Sequence, residues 1–105
     1  MFVTEVEHSK AAPSAVARAV RLIDPTRIWL FGSQARGEGT PTSDVDMAFE
    51  APASAGAGWA AFVLEAKEEV PALVDLDLVD LGTCDLALRR EITTTGRVVY
   101  ERRPS

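Results

Sequence analysis

The sequence predicts an α/β (α+β) domain, a small mixed β-sheet with flanking helices. Apolar stretches of helical period alternate with short apolar or alternating runs, in the order α-β-β-α-β-α-β. Proline or glycine stands near most of the boundaries. The length of 105 residues suits one domain over residues 1–105.

The first helix is expected over about Pro13 to Ile23, with Ser14 as its cap and Val16, Val20 and Ile23 on one face. Pro25 closes it, and Arg27 to Phe31, an apolar run ending at Gly32, is expected to be a buried strand. Asp44 to Glu50 alternates. Val45, Met47 and Phe49 face the core, while Asp44, Asp46 and Ala48 face something polar. Ala51 to Gly58, made of small residues and Pro52, reads as a loop. Trp59, Phe62, Val63, Ala66 and Val70 mark a second amphipathic helix, ended by Pro71, and its aromatic residues read as core. Leu73 to Leu81 alternates as a third strand. A short helix follows over Asp85 to Thr93, ended by Gly96, and Val98 to Tyr100 forms a last strand.

Composition narrows the classes of function. Hydrophobic residues make up 47% and charged residues 26%, the balance of an ordinary soluble globular protein. The net charge of −5 and the scattered arginines argue against nucleic acid as main partner, because phosphate binding draws on a basic stripe. An acidic surplus suits a cluster of metal-binding carboxylates. The single cysteine, Cys84, excludes an intramolecular disulfide. Met1 to Lys10 has no secretory pattern, and no apolar run is long enough to span a bilayer, so the expected location is the cytoplasm. No membrane partner is expected. His8 reads as exposed, and Cys84 and Tyr100 as structural.

The chemistry-bearing segment is Phe31-Gly-Ser-Gln-Ala-Arg-Gly37 followed by Ser43-Asp-Val-Asp46. Glycine at a strand end lets the backbone turn and approach a ligand closely. The residues after it can open a helical turn whose N–H groups attract phosphate, with the Ser33 hydroxyl as a further donor. Asp44 and Asp46, two apart on a strand, share a face. Such a pair repels itself, and a divalent cation relieves that cost; Mg²⁺ favours one or two carboxylates together with phosphate oxygens and water.

Gly32-Ser33, ten intervening residues and Asp44-x-Asp46 together resemble the signature of the DNA polymerase beta-like nucleotidyltransferases. GSQARGEGTPTSDVDM is similar to the minimal nucleotidyltransferase members, as are DLVDLG and REITTTGRVVYE, so the resemblance spans roughly Arg27 to Glu101. It implies the polymerase beta-like nucleotidyltransferase fold, two Mg²⁺ ions and ATP as substrate. It implies Asp44, Asp46 and a third acidic residue as catalytic metal ligands, with phosphate contacts from Gly32, Ser33, Arg36 and Ser43. Arg36 can equally form an ion pair within its loop. The third carboxylate matches Asp77 best in the family pattern. Asp75 shares its strand face and stays an alternative, while Asp80 is expected to cap the turn before Gly82.

Stand-alone members of this group commonly act as antitoxins beside a HEPN-domain ribonuclease toxin, in the manner of a type VII toxin–antitoxin system. The resemblance therefore implies AMP transfer from ATP to a toxin tyrosine, in a hetero-oligomer with that toxin. Two alternatives are a small-molecule (aminoglycoside-type) nucleotidyltransferase and an antitoxin that blocks its toxin by contact alone. Met47 stands where leucine is common, and the loop from Glu38 to Thr42 lacks a basic residue often present there.

Overall fold

The computed structural model describes residues 11–32, 45–52, 56–68 and 76–102. Three helices and four strands follow in the expected order: α1 (Ala11–Leu22), β1 (Arg27–Phe31), β2 (Val45–Glu50), α2 (Gly56–Glu68), β3 (Leu76–Asp80), α3 (Leu86–Thr95) and β4 (Arg97–Glu101). They build one mixed sheet of strand order β3-β2-β1-β4. β1 runs antiparallel to both β2 and β4, whereas β2 and β3 are parallel. A parallel pair needs a crossover, and α2 supplies it.

Strand alternation divides the core in two. Ile28 and Leu30 of β1, Val45, Met47 and Phe49 of β2 and Leu76 of β3 pack with Ala15, Val16, Ala19 and Ile23 of α1 and Phe62 and Ala66 of α2. Phe49, Trp59 and Phe62 meet there edge-on or tilted, with ring centroids 4.9–5.7 Å apart. Each such pair adds about 0.5–1.5 kcal/mol beyond its buried area. On the opposite face Trp29, Ala48, Leu81 and Ile92 form a second cluster under α3. Ala48 is therefore core rather than polar surface, because α3 covers its side of β2. A bulge in the β1–β4 ladder leaves Val99 as the extra residue, and both Val99 and Tyr100 turn toward the first cluster. Tyr100 thus packs, as its position on a terminal strand predicts.

Several boundaries differ from expectation. α1 begins at Ala11, so Ser14 lies inside it and accepts a hydrogen bond from Arg18 Nη1 instead of capping. Pro13 sits in the first turn, where its missing N–H costs nothing. Val20 is left at the rim, 38% exposed, and the alanines 15 and 19 take the buried stripe in its place. α2 begins at Gly56, inside the stretch read as loop. The reason is a close approach: a Cβ at Gly58 would lie 2.6 Å from the Leu22 carbonyl oxygen, so only glycine lets α2 cross α1 there. α3 runs two residues further than expected, to Thr95, with the Thr93 and Thr95 hydroxyls donating to carbonyls one turn back. The expected ends of α2 at Val70 and of β3 at Leu73 lie outside the described residues. No helix among the described residues is long and apolar enough to cross a membrane.

Candidate active site

Three strand ends meet at one end of the sheet. β1 finishes at Phe31, and Gly32 turns the chain away with φ of 76°. That left-handed conformation is one which glycine adopts without strain. Across the antiparallel β1–β2 ladder, Phe31 faces Asp46. A Cβ on Gly32 would run into the Asp46 carboxylate, so the missing side chain is what gives Asp46 its room.

On the other side of β2 the parallel register pairs Asp46 with Asp77. Neighbouring strands lie about 4.8 Å apart, and register partners project to the same face. That is the face of Trp29, Ala48 and Val79, which α3 covers further along the sheet. Asp46 is half-buried and Asp77 exposed, so the pair opens outward from the edge of the second cluster. α3 is tied to the far end of β3 by Arg89, whose Nη1 donates to the Leu81 carbonyl at 2.9 Å. Arg89 also pairs with Glu50 of β2, Nη2 to Oε2 at 4.0 Å, and Ile92 and Leu88 add apolar packing against the sheet.

Of the residues expected at the site, Gly32, Asp46 and Asp77 are thus brought together. Ser33, Arg36, Ser43 and Asp44, and the alternative Asp75, lie outside the described residues. Asp80 sits three positions beyond Asp77, on the opposite face, and its Oδ1 accepts the Gly82 N–H at 2.9 Å, as the turn-capping role requires. The contact between Gly32 and Asp46 has no local signal in the sequence, because it depends on the pairing of strands 14 residues apart.

The donor chemistry suits Mg²⁺. Two carboxylates present hard oxygens from adjacent strands, beside Gly32, which has no side chain of its own to fill the space. Among the described residues no group of three or more His, Cys, Asp or Glu side chains can hold a metal. Asp46 and Asp77 would thus hold an ion together with ligands from elsewhere, phosphate oxygens among them.

No curated protein matches the chain. Among solved structures, a Sulfolobus solfataricus protein described provisionally as a nucleotidyltransferase aligns over 85% of this chain and 88% of its own. Its identity is 19% and its TM-score 0.46, too loose to carry more. A crystal structure of a toxin–antitoxin with AMP-PNP contains a chain that is 25% identical. It covers 87% of this chain and 73% of that one, with a TM-score of 0.62. Residues 20–105 match the family described as Polymerase beta, Nucleotidyltransferase. A match over most of the chain, on a sheet that sets Gly32, Asp46 and Asp77 at one end, shows that the chain belongs to the polymerase beta nucleotidyltransferase family.

Proposed function

We propose that this nucleotidyltransferase moves AMP from ATP to a partner protein, as the antitoxin that adenylylates a tyrosine of a HEPN ribonuclease toxin. The observation that carries the reading is the register pairing of Asp46 with Asp77 beside the Gly32 turn. Such an arrangement suits a metal-bound triphosphate at a strand end. The choice of acceptor draws on the likeness to a chain crystallised in a toxin–antitoxin with AMP-PNP.

The residue roles follow from that reading. Asp44, Asp46 and Asp77 would hold Mg²⁺, while Gly32, Ser33, Arg36 and Ser43 would hold the β- and γ-phosphates. Two Mg²⁺ ions, when bound, offset charge on the attacking and leaving oxygens. The tyrosine oxygen attacks the α-phosphorus in line. The new P–O bond forms as the bond to pyrophosphate breaks, and the phenolic proton passes to Asp77 or to water. Fixing Asp46 and Asp77 on paired strands keeps their reorganisation small during transfer. On this reading the protein would act in the cytoplasm, where ATP and Mg²⁺ are available.

The test is to incubate the chain with the protein encoded beside it, ATP and Mg²⁺, and to weigh both by intact mass spectrometry. The expected result is a gain of one or more AMP units on the partner, lost with EDTA. Asp46→Ala is expected to lower the rate by at least about 100-fold, as removal of a main electrostatic contact to a transition state does. A stable complex without added mass would point to an antitoxin acting by occlusion. AMP transfer to an aminoglycoside without any partner would point to a small-molecule enzyme.

A further inference from the structure

A second concave site lies at the opposite end of the sheet from Gly32, Asp46 and Asp77, and on its other face. It has a volume of about 310 Å³ and lies between the ends of β2 and β3, the end of α1 and the start of α2. Asp80 is three residues past Asp77, about 10 Å along the strand, and alternation turns it toward the α1–α2 side. Among the described residues, this cavity shares none with the group of Gly32, Asp46 and Asp77.

The lining is divided by chemistry. Ile23, Ala51, Pro52 and Trp59 are apolar, while Asp80 and Thr83 are polar. Trp59 is held edge-on by Phe49 and tilted against Phe62, with centroids at 5.7 and 5.4 Å, which fixes the plane of the indole. Asp80 is fixed too: its Oδ1 accepts the Gly82 N–H at 2.9 Å, and its own carbonyl accepts the Thr83 and Cys84 N–H groups at 3.1 Å. Neither partner has to be ordered when a ligand arrives, and pre-organisation of this kind lowers the cost of binding. Among the described residues, no arginine or lysine lines the cavity.

An indole, one carboxylate and apolar side chains lining one cavity offer the chemistry that recognises an organic cation with a flat or apolar body. We infer that the cavity of Ile23, Pro52, Trp59 and Asp80 binds a guanidinium or amine of that kind. The aromatic face and apolar walls take the body, and Asp80 takes the charge. Two sources share this chemistry, a free small polyamine or guanidine and an arginine side chain presented by another protein.

The inference is tested on the isolated ¹⁵N-labelled chain, without ATP or partner, so its outcome is independent of the adenylylation reading. Benzamidinium is titrated against benzamide, its neutral near-isostere. The expected result is movement of the Trp59 indole and Gly82 amide signals by benzamidinium, with Trp29, which packs on the other face, unmoved. Benzamide should bind at least about tenfold more weakly, the effect of losing a charge-assisted hydrogen bond. Asp80→Asn should erase that preference, and because Asn can still accept the Gly82 N–H the turn is retained. Blocked N-acetyl-arginine amide and agmatine then separate the sources. Tighter binding of the blocked arginine supports the site with a protein side chain as occupant, and tighter binding of agmatine supports it with a free cation. No shift at Trp59 and Gly82, an equal response to benzamide, or an Asp80→Asn variant that still prefers the cation overturns the inference.

Discussion

A β-carbon at position 32 would meet the Asp46 carboxylate, and the backbone there has φ of 76°. Gly32→Ala therefore carries two costs, a conformational one of about 1–2 kcal/mol and a displacement of Asp46. The variant should lose about 1–2 kcal/mol in urea denaturation and transfer AMP far more slowly than that loss explains. If its stability falls while its rate per folded molecule is unchanged, Gly32 acts on the backbone alone. Asp77→Asn provides a contrast. Asp77 is exposed, so stability in EDTA should hold within about 0.5 kcal/mol, while transfer is lost. At this scale the sequence was informative where local pattern carries the placement, as with Gly32 at a strand end and the alternation that turns Asp46 away from Val45 and Met47. It was silent where the role depends on a neighbour far along the chain. Nothing near Gly32 announces that it makes space for Asp46, and nothing near Trp59 or Asp80 announces that they line one cavity.

α3 is held to the second face of the sheet by Ile92, which is fully buried, by Leu88 at the margin, and by Arg89, which reaches the Leu81 carbonyl and Glu50. Ile92→Ala should cost about 2–5 kcal/mol, the range for a cavity left by a buried aliphatic side chain. Because Ala48 and Trp29 lie beneath α3, and Asp46 lies further along their face, the loss should also loosen the carboxylate pair. Amide hydrogen exchange checks this, as faster exchange in α3 and at the start of β2 than in α1. The elements were legible in outline because burial writes its period into the chain. β1 falls on its expected residues, 27–31. The helix starts were less legible, since α1 lacks a side-chain cap signal at Ala11 and α2 opens on glycines. Gly56 and Gly58 resemble loop composition, yet Gly58 is required by the Leu22 carbonyl beside it. Tertiary contact overrides helix propensity there.

For the whole molecule, ligand binding and stability are linked. A ligand held only by the folded chain at 100 times its Kd adds about 2.7 kcal/mol. For a domain of about 100 residues that corresponds to a rise in Tm on the order of 10 °C. Mg²⁺ with ATP should raise the melting temperature accordingly, EDTA should cancel the rise, and Asp46→Ala should show none. A rise that survives EDTA would mean that ATP binds without the carboxylates. The strand order β3-β2-β1-β4 also settles where the two described carboxylates come from. Asp46 precedes α2 and Asp77 follows it, and they meet solely because β3 pairs with β2. The chain is thus naturally divisible. Cut between Pro52 and Gly56, it yields one fragment carrying Gly32 and Asp46 and another carrying Asp77, neither able to form the pair alone. Fused to two interacting proteins, the fragments would serve as a split reporter whose catalytic output registers that the two halves have found each other.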